Sequence, residues 1–472
     1  MIYVNWLVLL IYTLLFIGTA IAVLLDKKEP VKTLAWMLVL VFLPVAGIVL
    51  FFFFGQNTRR KRIIHHRALS QLTKRSIASF NEQKNLDLPI EHKGLIQLFI
   101  NQNIALPFKD NVSEVFTNGK DMFDALLNDI HRAKHHIHLE TYIFDDDSLG
   151  RRISDALIAK SREGVEVRIL YDDVGCWRVP NAFFERMRME GINARSFLPV
   201  RFPLFTSKIN YRNHRKICVI DGQVGYIGGM NIADRYIDGD GTQPWRDTHL
   251  RITGKAVYGL QSTFLADWFF MDRTLITDRK YYPTAENAAE TDCFMQIVTS
   301  SSISKWCDIM QGYVRIIANA KKYVYLESPY FVPSQPVLFA LQTAAMSGID
   351  VRIILPEKSD NFFVGIASRS FFYEVMKAGV KIYLYKKGFN HSKILICDDN
   401  LSSVGSTNID VRSFENNMEV NAFIYDTEMA VRLRHVFEDD MDASELIDMQ
   451  SIRKSLPARI GESIVRMLSP LL

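Results

Sequence analysis

At 472 residues, with 48% hydrophobic side chains and 23% charged ones, the chain is too apolar to be disordered and long enough for about three domains. Five cysteines at no metal-ligand or C-x-x-C spacing exclude a disulfide framework. The net charge of +4 is unevenly spread: residues 58–75 hold seven Lys/Arg and no acid, so residues 76–472 sum to about −4, which argues against nucleic acid as a partner.

Residues 3–25 are apolar apart from Asn5, and residues 34–54 carry no charge; as helices, both are long enough for the about 30 Å of a bilayer's hydrocarbon core. The pattern predicts a two-helix transmembrane hairpin over residues 1–57, with helices at about 3–25 and 34–54. Trp6 and Trp36 suit the interfaces, and Pro44 and Gly47 mark a kink or a close helix contact. A cleaved signal peptide ending at Ala20-x-Ala22 is disfavoured, because the start lacks basic residues and the apolar run is too long. The basic cluster beyond Gly55 places the remainder of the chain in the cytoplasm. Residues 58–109 read as a basic juxtamembrane linker, whose residues 58–75 suit equally an anionic lipid surface and a plain topology signal.

From residue 110, β-type runs alternate with segments of helical period, the mark of an α/β protein, and the pattern occurs twice. Leu139-Glu140-Thr141 answers Leu326-Glu327-Ser328. Gly164-Val-Glu-Val-Arg-Ile-Leu170 answers Gly348-Ile-Asp-Val-Arg-Ile-Ile354, and Gly191 answers Gly379, each a glycine helix stop before a strand. HRKICVIDGQVGYIGGMN (214–231) answers HSKILICDDNLSSVGSTN (391–408), with every position of His-x-Lys-x4-Asp-x6-Gly-[Gly/Ser]-x-Asn displaced by 177. Two homologous halves, 110–290 and 291–472, are expected to share one interface.

In each copy the His-x-Lys spacing places both side chains on one face of a strand, with a turn at Asp399-Asn400 in the second. Two-residue turns predict Asn408 opposite His391, Ser406 opposite Lys393, Asn231 opposite His214 and Gly229 opposite Lys216. Asp221 and Asp398, at the turns, are then expected to hold structure rather than touch a reacting atom. A working histidine needs a carboxylate on its other nitrogen; the next alternating run offers Asp247 to His214, 33 residues on, and Glu419 to His391, 28 residues on.

An imidazole, an ammonium and an amide from each half equip a site for phosphoryl transfer: Lys216, Lys393, Asn231 and Asn408 hold phosphate oxygens, with Ser406 assisting. One histidine attacks and the other protonates the leaving oxygen. No metal and no cofactor are expected. The cluster His131, His135, His136 and His138 straddles a helix-to-strand boundary and is not read as a metal site; Asp145 to Asp147 and Asp172-Asp173 read as solvated loop acids. Cys218 and Cys397 read as buried reduced thiols. Phe362, Phe363, Phe371, Phe372 and Tyr373 read as core, with a groove for acyl chains as the alternative.

The paired His-x-Lys-x4-Asp stretches resemble the HKD motif of the phospholipase D superfamily. The whole chain is similar to its bacterial cardiolipin synthases, through residues 28–47, ESPYFVPS (327–334), residues 364–383 and SPLL (469–472). The resemblance implies two phospholipase D-like α/β domains packed pseudo-twofold, His214, Lys216, Asp221, His391, Lys393 and Asp398 as the catalytic motif, and a phosphohistidine intermediate. It also implies a multi-pass enzyme of the bacterial plasma membrane that makes cardiolipin and glycerol from two phosphatidylglycerol molecules. A phospholipase D-type hydrolase or another phosphatidyltransferase of the superfamily is the alternative, and the oligomeric state is left open. Gly228-Gly229 departs from Gly405-Ser406, so only one half offers a hydroxyl near the phosphate.

Overall fold

The computed structural model describes residues 2–25, 30–51, 86–103, 105–200, 211–239, 241, 244–283, 291–302, 304–451 and 455–467. The basic cluster at 58–75 therefore lies outside the described residues. Three helices open the chain: α1 (Ile2–Leu25), α2 (Pro30–Phe42) and α3 (Pro44–Leu50). The single second helix expected at 34–54 starts earlier and breaks at Leu43 (φ −127°, ψ 63°), because Pro44 has no N–H to continue the ladder. Gly47 marks the close contact, since a Cβ there would meet the Val39 carbonyl at 2.8 Å. Val23, Leu40 and Phe51 join α1 to α2 and α3, with Trp36 edge-on to Phe51. Among the described residues no helix is long and apolar enough to cross a membrane; the side chains of α1 are described without a break from Leu10 to Leu25.

Helix α4 (Lys93–Asn103) and strand β1 (Pro107–Phe108) precede the first half. That half comprises β2 (Asn111–Phe116), α5 (Gly119–Arg132), β3 (His136–Thr141), α6 (Ser148–Arg162), β4 (Glu166–Asp172), α7 (Asn181–Met189), β5 (Asn193–Phe197), β6 (Ile217–Ile220), β7 (Val224–Gly228), β8 (His249–Gly254) and α8 (Val257–Asp272). The second half begins with β9 (Phe294–Ser300), α9 (Asp308–Asn319), β10 (Tyr323–Glu327), β11 (Phe331–Val332), α10 (Gln335–Met346), β12 (Asp350–Pro356), α11 (Phe362–Lys377) and β13 (Lys381–Tyr385). It continues through β14 (Ile394–Cys397), β15 (Leu401–Gly405), β16 (Ile409–Asp410), α12 (Val411–Glu415), β17 (Glu419–Tyr425), α13 (Thr427–Asp442), β18 (Ser444–Leu446) and α14 (Leu456–Met467).

The duplication is plain in the sheets. The first orders its strands β2-β8-β7-β6-β3-β4-β5, and the second repeats that order as β9-β17-β15-β14-β10-β12-β13, with β1 and β18 added at its edges. In both, the last three strands are parallel and the rest antiparallel. The matched glycines Gly164 and Gly348, Gly191 and Gly379 all have φ between 86° and 107°, a region open to glycine, so the repeated helix stops are backbone requirements. The end of the expected linker is built into the second sheet: β1 pairs with β9, and Gln296 reaches the carbonyls of Ile96 and Ala105.

Ile217, Ile227, Leu250 and Ile252 of the first sheet share one core with Ile394, Val404, Val420 and Ile424 of the second. Helices α8 and α13 contribute Leu260, Phe264, Leu433 and Phe437 to the same layer. Buried helix α8 also accounts for the histidine cluster. Gln261 bonds His136 Nε2 (3.0 Å) and His138 Nδ1 (2.7 Å), and burial pushes His136 down to about 4, so both rings are neutral. Among the described residues no cluster of three or more histidine, cysteine, aspartate or glutamate side chains is arranged to hold a metal ion. Cys218 and Cys397 are buried free thiols, and the aromatic run divides into buried Phe371 and Phe372 and exposed Phe362, Phe363 and Tyr373.

Each hairpin turn has three residues, not two. Ile394 pairs with Val404 and Ile217 with Ile227, one position off the predicted register, because Asp398 and Asp399, like Asp221 and Gly222, adopt successive positive φ values. Asp221 accepts the backbone N–H groups of Lys134, His135 and His136, and Asp398 those of Lys321, Lys322 and Tyr323, at 2.7–2.9 Å. Each aspartate satisfies the entry to a central strand at the end of the hairpin remote from the histidine. Asp398→Ala is expected to cost about 2–3 kcal/mol, lowering the thermal midpoint by several degrees while the folded fraction keeps its activity. Melting and specific activity of the same sample check this.

Candidate active site

His214 and His391 stand just before β6 and β14, in segments that cross to the other half. Asn213 forms a parallel bridge with Met418 and Asn390 one with Arg246, so each histidine segment lies beside the residue preceding the other half's acid. His214 N–H donates to the Met418 carbonyl (2.9 Å) and His391 N–H to the Arg246 carbonyl (2.6 Å).

This crossing exchanges the expected partners. His214 Nδ1 lies 3.1 Å from Glu419 and 3.1 Å from the Ser406 carbonyl, and His391 Nδ1 lies 2.6 Å from Asp247. Sequence spacing places the acids in the right runs but matches them to the wrong histidines, because strand order along the chain says nothing about which half a loop leans on. A carbonyl only accepts, so the Nδ1 of His214 carries the hydrogen and its Nε2 keeps a lone pair when the ring is neutral.

Burial lowers the proton affinity of both rings. Glu419 offsets part of this at His214, whereas Lys393, Lys216 and His214 push His391 well below the ordinary histidine range. Lys216 and Lys393 turn back so that each Nζ donates to the carbonyl of its own histidine. Burial brings Lys216 down to about 7 and Lys393 to about 8, with Glu419 and Asp247 opposing the fall. Two desolvated cations with mutual repulsion await an anion.

The amides and the hydroxyl differ from expectation. Asn231 is engaged at both ends, accepting from Ile143 N–H (3.2 Å) and donating to the Tyr236 hydroxyl (2.9 Å), while the buried Asn408 Oδ1 has no hydrogen-bond partner. The Ser406 hydroxyl points at Glu419 rather than into open space for a phosphate. Its counterpart is glycine for a steric reason: a Cβ at Gly229 would lie 2.1 Å from Asp247 Oδ1. The longer glutamate is braced by a serine, and the shorter aspartate takes the space where a side chain would stand.

Several residues near the site carry no motif signal. Glu140 holds Asn213, and Glu327 holds Asn390 at 3.1 Å; each asparagine in turn accepts a backbone N–H two residues on. Their repeated positions, in Leu-Glu-[Thr/Ser] and Asn-His-x-Lys, were the available signal. Tyr142 lies edge-on to His214 with Lys216 5.5 Å from its ring centre, and Tyr236, Trp245 and Phe389 enclose His391. Asp172, expected as a solvated acid, is buried and accepts from Asn213 N–H and Arg212. Asp147 caps α6, and Asp145 and Asp146 pair with Arg235 and Arg151.

The family profile described as cardiolipin synthase, PLD-like domain matches residues 126–268 and 313–441, one match in each half. The chain belongs to this family. A phospholipase D-nuclease N-terminal profile matches residues 7–56, a span that takes in most of α1 and all of α2 and α3. Among its relatives, cardiolipin synthase 2 of Bacillus anthracis is 43% identical over 95% of this chain and 88% of its own. The major cardiolipin synthase of Bacillus subtilis (strain 168) is 39% identical over 99% of this chain and 100% of its own. The phosphatidylserine synthase of Haemophilus influenzae Rd KW20 shares the fold at 15% identity, with a TM-score of 0.64 over 81% of this chain and 100% of that one. One matched profile segment of the cardiolipin synthase family thus falls in each of the two repeated halves, the first containing His214 and the second His391.

Proposed function

We propose that this chain makes cardiolipin and glycerol from two phosphatidylglycerol molecules, and that the crossed pairs His214–Glu419 and His391–Asp247 form its one active site. Support comes from Nδ1 contacts that leave both Nε2 atoms free of these acids, and from two buried lysines whose ammonium groups each bond the carbonyl of their own histidine. The lipid phosphodiester enters between Lys216 and Lys393. His214 Nε2 attacks phosphorus, a P–N bond forms, the P–O bond to glycerol breaks, and His391 gives its proton to the leaving oxygen. The terminal hydroxyl of a second phosphatidylglycerol then attacks phosphorus and returns its proton to His391 as the P–N bond breaks. Burial is the main cause of the low proton affinity of His391, and an anion between the lysines offsets the repulsion from Lys393 and Lys216 that adds to it, so bound substrate helps His391 carry the proton. Asn408 Oδ1 would accept from the incoming hydroxyl, while Asn231 positions Tyr236 beside His391.

The reverse assignment has one observation in its favour: His391 is held lower than His214, so in the empty site the proton prefers His214. Purified enzyme with phosphatidylglycerol as sole lipid tests the reaction. Cardiolipin and glycerol are expected in equal amounts; phosphatidic acid without cardiolipin would make water the acceptor and the chain a hydrolase.

The hairpin anchors the enzyme in the membrane with its catalytic halves on the cytoplasmic side, in this reading. Its support is the exposure of Leu10, Leu14, Leu24 and Phe42, apolar side chains that water does not favour, and the seven basic residues at 58–75.

The lysines also set a pH dependence. They are charged below their own pKa and neutral above it, so kcat/KM should fall as pH rises through about 7 to 8, the values of the free site. Bound phosphodiester favours the charged forms, so the fall in kcat should lie at higher pH. A pH profile of both constants checks this; a kcat/KM flat to pH 9 would contradict it.

A further inference from the structure

Helix α14 presents its apolar side the wrong way for a water-soluble helix. Leu456, Ile460, Ile464 and Met467, spaced four, four and three apart, are 68%, 53%, 57% and 80% exposed. The inner side is tied down: Val465 packs on the second half's core, Arg466 pairs with Glu374 at 2.7 Å, and its guanidinium stacks 4.1 Å from the ring centre of Phe371. The outward row is thus held out by contacts on the opposite side, not left by fraying. In sequence, residues 452–467 carry Arg453, Lys454 and Arg459 besides the inward-paired Arg466, against the single acid Glu462, in contrast to the acidic balance of residues 76–472.

We propose that α14 is a second membrane contact, docking its outward row on an anionic lipid surface. An exposed apolar stripe in a segment whose sequence is rich in basic residues fits a lipid interface, where the stripe enters the acyl boundary and the cations meet acidic headgroups. A second copy of the chain would meet the same cations with like charge. Docking here orients the second half from its outer side while the hairpin tethers the first residues, so the catalytic halves are held at two points. This rests on the reading of a phospholipid as substrate for its purpose, though not for the contact itself.

Two measurements on the full-length chain test it. The inactive His391→Ala protein is reconstituted into bilayers of phosphatidylcholine alone or with phosphatidylglycerol, and amide exchange is followed over Leu456–Met467. Exchange at least about five-fold slower with phosphatidylglycerol is expected. Equal exchange in the two bilayers, or protection that follows protein density instead of phosphatidylglycerol content, as a second copy would give, would overturn the proposal. In the otherwise native enzyme, Ile460→Asp with Ile464→Asp should lower turnover of bilayer phosphatidylglycerol about ten-fold or more while leaving a water-soluble short-chain phosphatidylglycerol unaffected. Equal loss on both substrates would make the helix merely structural, and loss on neither would also reject docking. Hydrolysis in place of cardiolipin formation by the parent enzyme would sink the synthase reading alone, since the exchange result does not depend on turnover.

Discussion

Replacing His214 by Ala is expected to lower cardiolipin formation by about 10⁵-fold or more, and His391→Ala by about 10³- to 10⁴-fold, from the different jobs of nucleophile and proton donor. The nucleophile has no substitute, because the P–N bond has no other atom to form on. A general acid is dispensable when the leaving group needs no proton. A phosphatidyl ester of a nitrophenol should therefore restore most of the first step to His391→Ala and none to His214→Ala, and only His391→Ala should retain labelled phosphatidyl on the protein. Rescue of His214→Ala instead would reverse the two roles, as the lower proton affinity of His391 in the empty site favours.

The acids should follow the histidine they touch, not the one they trail in sequence. Glu419→Gln is expected to impair capture of the phosphatidyl group, and Asp247→Asn leaving-group departure, each by about 10²- to 10⁴-fold, since an amide in place of the acceptor can hold the ring in the wrong tautomer. The nitrophenyl ester separates the two again: it should rescue Asp247→Asn with His391→Ala and leave Glu419→Gln as damaged as His214→Ala. The pH profile gives a second readout. Glu419 raises the proton affinity of His214, so removing it should move the acidic limb of kcat/KM to lower pH. Rescue of Glu419→Gln but not Asp247→Asn would mean each acid serves its own half.

Much of this site was legible because duplication doubles every signal. A single His-x-Lys is weak, but two copies displaced by 177, with matching glycines and Leu-Glu-[Thr/Ser] runs, predict two like sheets, and the strand orders agree. Parity along a strand was enough to turn Asp221 and Asp398 away from the chemistry, and both cap backbone N–H groups. It was not enough for the register across the hairpin, since a three-residue turn whose first two residues adopt positive φ shifts every partner by one. For that reason Ser406 stands against Glu419 and Asn231 against Tyr236 rather than opposite Lys393 and His214.

Residue types, repeat spacing and apolar runs by themselves determined the α/β class and the two halves and singled out the His–Lys pairs and the two acids as candidates, because these depend on local periodicity and on which groups can move a proton or hold a phosphate. Only the tertiary structure decided that Glu419 contacts His214 and Asp247 contacts His391, that Gly229 is glycine because Asp247 fills its space, and that α14 turns its apolar row outward. Each of these depends on which surfaces meet when the two sheets close on their common core, a long-range choice driven by burial that no local pattern records.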